Sequence, residues 1–175
     1  MRLLIVRLQP HHVEYADGVG LVRRGKAMMR SGKHTNSWRP NFETALWKNR
    51  QSSRCELAGK LWLNPITWNT IDEKGIGKAD LGDFIDVKGV EKAHHRLLVQ
   101  LDAKDDFAYL LVDSVVHPDY EMVGWLWGRE AKLHPIETPD GQDRPCHCVK
   151  RAIPPMSDPQ ELFEEVRRRD DPEWF

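Results

Sequence analysis

Between Asp83 and Gly128 the chain passes through four strand-like runs joined by turns or short loops, and this stretch limits the possible folds more than any other. DFIDVKG (83–89) alternates, with Phe84, Asp86 and Lys88 predicted on one face and Ile85 and Val87 on the other. HRLLVQL (95–101), FAYLLVDSVV (107–116) and EMVGWLWG (121–128) are rich in Val, Leu and aromatic residues, the composition that favours strands. LDAKDD and VHPDY separate them as turns or short loops.

Helical patterns flank this block. NFETALWKN, after Pro40, reads as a helix start with Asn41 as N-cap. RCELAGKLWLN predicts a second helix, with Leu57, Leu61 and the Ala58–Trp62 pair on an apolar stripe and Glu56 near its edge; Asn64-Pro65 ends it. GREAKLHP (128–135) reads as a short helix closed by proline. From Ile136 the chain is Pro- and Asp-rich until one acidic helix, DPQELFEEVRRR (158–169). At the other end, LLIVRL predicts a strand within residues 2–8. The remainder of 1–40 has weak periodicity and glycines at 18, 20, 25 and 32, which predicts a loosely ordered arm or short helix. The order is that of an α/β layered domain of mixed strand direction, not a doubly wound nucleotide fold. Three parts are expected: a basic N-terminal arm (1–40), an α/β core (41–135) and a C-terminal extension with the acidic helix (136–175).

A length of 175 residues with 40% hydrophobic and 30% charged composition suits one globular core and argues against wholesale disorder. No apolar run is long enough to span a bilayer, so no membrane partner is expected. MRLLIVRLQP is too short and too broken by arginine for a signal peptide. Three cysteines do not make a disulfide framework, and a reducing, cytoplasmic setting follows as the expectation. The net charge of −1 hides an asymmetry. Residues 1–50 hold ten Lys or Arg against Glu14, Asp17 and Glu43, a net of +7. Residues 156–175 hold seven acids against Arg167, Arg168 and Arg169, a net of −4. A basic segment on a neutral protein steers it toward a polyanion such as nucleic acid, although a solvated surface would carry the same charges.

The chemistry concentrates in ADLGDFIDVKG. Asp86 and Lys88 project from one strand face. Asp80 stands six residues earlier, and Gly82 permits a sharp bend that would bring it beside Asp86. Two carboxylates held together favour a hard divalent cation, Mg²⁺ or Mn²⁺, which would neutralise their repulsion, polarise a phosphodiester and acidify a bound water. Lys88 would orient that water or stabilise charge developing on the phosphate. Glu56 on the preceding helix is placed to complete the acidic cluster. Asp83 is the competing candidate for the first strand acid, but it would fall on the opposite face from Asp86.

These residues resemble the PD-(D/E)XK nuclease superfamily, most closely its small phage- or prophage-encoded members. Asp80-x5-Asp86-x-Lys88 after a helical Glu56 matches the signature. ELAGKLWLN, ADLGDFIDVKG, HHRLLVQLD and VGWLWGREAK follow in the corresponding order, so the likeness covers about residues 50–133. It implies a restriction-endonuclease-like core, with a mixed central β-sheet flanked by helices. It also implies metal ligation by Glu56, Asp80 and Asp86, catalysis by Lys88, and a polar residue facing the site at Gln100. The expected activity is metal-dependent hydrolysis of nucleic acid, DNA in the first instance, in a bacterial or phage-infected cell. His94 and His95 open the strand after the site, and Lys48 and Arg50 end the basic segment; these four are candidate substrate contacts. The rival is a non-catalytic nuclease-fold module of a mobile element that binds DNA or a partner protein.

Other motifs read as structure. Cys146-His147-Cys148 lacks a second ligand pair and is a poor match to structural zinc sites. Trp125 and Trp127 share a strand face and read as packing, while Trp38 and Trp47 sit among Arg and Lys and are better placed for nucleic acid.

Overall fold

The structure, a computed structural model, describes residues 4–30, 42–64, 66–69, 78–92, 95–139 and 144–170. Strand β1 (Leu4–Arg7) leads into helix α1 (Pro10–Arg30), and helix α2 (Phe42–Trp62) follows. Strands β2 (Ile85–Val90), β3 (Leu97–Gln100), β4 (Ala108–Asp113) and β5 (Asp119–Trp127) come next. The short helix α3 (Gly128–Ala131), strands β6 (Ile136–Glu137) and β7 (Cys146–Val149) and helix α4 (Pro159–Asp170) complete the order. Among the described residues, no helix is long and apolar enough to cross a membrane.

The strands form two sheets. The larger is mixed, ordered β1-β5-β4-β2, with β2 parallel to β4 and the β4–β5 and β5–β1 pairs antiparallel. The smaller is antiparallel, ordered β3-β7-β6. The connection from β2 to its parallel neighbour β4 therefore runs through β3 in the other sheet. One face of the larger sheet packs Ile85, Val87, Leu110, Val112 and Met122 against Cys55, Leu57 and Ala58 of α2 and Leu162 and Val166 of α4. Its other face packs Tyr109, Leu111 and Val123 against Leu97, Val99 and Val149 of the smaller sheet. The result is a mixed sheet with helices on one side and a small β layer on the other. Trp125 and Trp127 meet edge to face at 5.1 Å in the packing role expected of them.

The N-terminal segment is more regular than the expected loose arm or short helix. After Pro10, which suits the first turn of a helix, α1 runs for 21 residues and turns Val13, Ala16 and Val19 inward. Its glycines hid this helix from propensity reasoning, yet Gly20 has a packing purpose. A Cβ there would fall 2.7 Å from the Arg50 Cα, so its absence lets α1 and α2 cross closely. Arg54 then clamps Asp17 of α1 through two hydrogen bonds of 2.6 and 2.7 Å. The two helices expected between residues 41 and 63 are one continuous α2, because WKNRQSSR holds no glycine or proline to break it. Asn41, the expected N-cap, lies outside the described residues, as does Trp38. Phe84 also differs from expectation. It packs with Ile85 and Val87, since residues 82–84 form a turn and alternation begins only at Ile85. Strands β6 and β7 carry too short a pattern to stand out in the Pro- and Asp-rich C-terminal stretch.

Candidate active site

The turn before β2 builds the site. Gly82 adopts φ +57°, the left-handed region that glycine enters freely. The bend is closed by Asp80 N–H and Leu81 N–H donating to Ile85 O at 2.8 and 3.0 Å. Asn69 braces it from outside: its side-chain amide donates to Ala79 O and Gly82 O at 2.8 and 2.7 Å, and its own N–H donates to Asp80 O at 2.8 Å. The chain thus folds back so that Val87 N–H donates to Asp80 Oδ2 at 2.8 Å. Asp80 is thereby tied to the strand that carries Asp86. Asp83, the competing candidate, stands exposed in the turn.

Asp86 and Lys88 share the face of β2 opposite Ile85 and Val87, and the Lys88 ammonium forms an ion pair with Asp86 Oδ2. Their side chains are 18% and 34% exposed, enough for both to be reached from solvent. Glu56 enters from α2 and is only 2% exposed. Its Oε1 accepts hydrogen bonds from Arg23 at 2.6 Å and Ser52 at 3.1 Å, and its Oε2 from Arg23 at 2.7 Å and Trp68 Nε1 at 2.9 Å. Arg23 also donates to Asn69 O at 3.1 Å, linking α1 to the brace of the turn.

The three acids feel one another. Burial, then the charges of Glu56 and Asp86, hold the Asp80 carboxyl well above its ordinary range, against the opposing hydrogen bond from Val87 and the charge of Lys88. For Lys88, burial works to lower the ammonium's pKa, but Asp86 and then Asp80 and Glu56 outweigh it, and the net shift is upward. Lys88 is therefore a persistent cation. It can stabilise negative charge, and at neutral pH it does not accept a proton.

No family model, curated protein or solved structure matches the chain.

The donor set suits a hard cation in part. Asp80 and Asp86 offer oxygen to an ion that would relieve their mutual repulsion, and Mg²⁺ commonly takes only one or two carboxylates alongside water and phosphate. Among the described residues, no group of three or more His, Cys, Asp and Glu side chains is arranged to hold an ion together. Glu56, expected as the third ligand, has both oxygens engaged by Arg23, Ser52 and Trp68.

The expected substrate contacts are scattered. β2 pairs with β4 and not with β3, so Gln100, exposed at the end of β3 with Cys146 as its register partner, belongs to the other sheet. Lys48 is exposed on α2, where its charge partly offsets the burial-driven rise of the Glu91 carboxyl just past the end of β2. Arg50 lies at the α1–α2 crossing, with its Nε buried and lacking a hydrogen-bond partner. His95 N–H closes the turn after β2 on Lys92 O at 2.9 Å, and His94 lies outside the described residues. In β7, Cys146 and Cys148 place their sulfurs 3.9 Å apart, and His147 Nδ1 meets His134 O at 3.0 Å.

Sequence reasoning missed Arg23, Trp68 and Asn69. Only one sign of Arg23 was available: Asp17, Gly20 and Arg23 recur at a spacing of three, which puts them on one face once a helix is granted. Trp68 and Asn69 follow a proline in a stretch with no periodic signal.

Proposed function

We propose that the chain is a metal-dependent nuclease of restriction-endonuclease-like fold that hydrolyses phosphodiester bonds in nucleic acid, with DNA as the first substrate to test. The observation that carries this reading is the folded-back turn in which Val87 N–H holds Asp80 over the strand bearing Asp86 and Lys88. Gathering like charges in this way costs free energy, and a bound divalent cation would offset it.

Asp80 and Asp86 would hold Mg²⁺ or Mn²⁺, which would supply Lewis acidity toward the phosphate and a more acidic water. The rest of the chemistry belongs to the chain's own groups. Asp86 fixes Lys88 through the ion pair, and the ammonium, kept protonated by the surrounding acids, stabilises charge developing on the phosphate. Glu56 adds to the negative field that the cation would answer, and is itself oriented by Trp68 and Arg23. The basic first fifty residues, among them Lys48 and Arg50, draw the polyanion toward the protein.

The test is Mg²⁺-dependent cleavage of single- and double-stranded DNA by the wild-type protein, Lys88→Ala and Asp86→Asn. Cleavage by the wild type, with loss in both variants, supports the assignment; equal activity in all three refutes it.

One observation favours the non-catalytic alternative: Glu56 is already saturated by internal donors, as expected where a nuclease-like fold has been kept for binding alone. Absence of both cleavage and Mn²⁺ binding would select that reading.

A further inference from the structure

We propose that Arg23 is an internal stand-in for the divalent cation at Glu56, so that guanidinium and metal ion compete for the same carboxylate. The inference rests on the metal-dependent reading above and adds a regulator of that site, contributed by α1. A guanidinium presents two parallel N–H donors that match the two oxygens of a carboxylate. Arg23 uses both on Glu56, at 2.6 and 2.7 Å. Trp68 and Ser52 take further lone pairs. Glu56 is 2% exposed, so without a positive partner it would be a buried, uncompensated charge. The cation-free protein needs Arg23 there for that reason.

The same contact withholds the third acid from an ion held by Asp80 and Asp86. Glu56 is near enough to raise the Asp80 carboxyl, yet its oxygens point into the Arg23 fork. Recruiting it requires the fork to let go. The affinity for the ion is then reduced by the fraction of molecules in which Arg23 holds Glu56. Arg23 is additionally held by Asn69 O, so the latch is coupled to the turn that positions Asp80.

The experiment measures Mn²⁺ binding by titration calorimetry, and the thermal midpoint with and without Mn²⁺, in the full chain. The proteins are wild type, Arg23→Gln, Arg23→Lys and the control Lys26→Gln, which makes the same change of charge on the same helix. The expected result is a lower cation-free midpoint for Arg23→Gln with Mn²⁺ affinity raised about tenfold or more, an intermediate gain for Arg23→Lys, and wild-type affinity for Lys26→Gln. Wild-type binding with equal or weaker binding by Arg23→Gln overturns the competition and leaves the metal-site reading standing. A gain of the same size in Lys26→Gln reduces the effect to bulk charge and also overturns it. No Mn²⁺ binding by any of the four overturns the metal-site reading itself. If Arg23→Gln does not fold, Arg23→Lys decides: lysine cannot reproduce the two-pronged contact, and no gain in affinity rejects the proposal.

Discussion

Val87 N–H donates to Asp80 Oδ2 at 2.8 Å, which ties an acid from the turn to the strand carrying Asp86 and Lys88. The bond favours the charged form of Asp80, whereas burial, Glu56 and Asp86 favour the neutral form and prevail.

Asp80→Asn is therefore expected to stabilise the cation-free protein at neutral pH. The amide oxygen can still accept from Val87 while the repulsion disappears, so the denaturant midpoint should rise. Urea unfolding with a chelator present measures it. A loss of stability would show that the carboxylate is net favourable in the empty site.

A divalent ion should stabilise the wild-type protein and not the variant lacking its ligand. At a hundredfold excess of Mn²⁺ over its dissociation constant the gain is about 2.7 kcal/mol, and Asp86→Asn should abolish most of it. Thermal melts across a Mn²⁺ series check both statements.

The α1–α2 crossing predicts opposite effects at two glycines of one helix. Gly20→Ala drives a methyl into the Arg50 backbone and should cost about 1–3 kcal/mol. Gly18 has nothing within 4 Å of its missing Cβ, so Gly18→Ala should raise stability by about 0.5–1 kcal/mol through helix propensity. Paired denaturant titrations suffice; equal effects would mean the helices are not packed as described.

Alkaline unfolding should set in before the lysines titrate fully. Burial pushes the phenols of Tyr109 and Tyr120 and the thiol of Cys55 each up to about 12, from ordinary values of 10.0 and 9.0. These folded-state values lie above the unfolded ones, so the folded state binds more protons in between. The associated stability is fully present below about pH 9 and is lost as pH rises toward 12. Denaturant midpoints at pH 8, 9, 10 and 11 should fall progressively, and a flat profile would contradict the burial of these groups.

The strands were legible in the sequence because their alternation and composition are local. The four central runs lie where their patterns put them, to within a few residues at each end. The turn around Gly82 was legible too, since a glycine between acids has few other uses. The continuity of α2 was not, because nothing in WKNRQSSR announces a helix; tertiary packing of Cys55, Leu57 and Ala58 supplies what propensity lacks. Sheet membership was also hidden. Gln100 follows β2 closely in sequence, yet β3 pairs with β7, a strand nearly fifty residues later. Arg23 was the hardest to see, since a partner 33 residues away becomes visible only when both helices and their crossing are known.

The sheet order β1-β5-β4-β2 places β2 last. Asp86 and Lys88 therefore stand on the rim of the larger sheet. A polymer of any length can be laid along a rim without threading either terminus through the protein. On the nuclease reading proposed above, linear, circular and looped molecules would then be equally admissible, and selectivity among them would come from side chains around the rim.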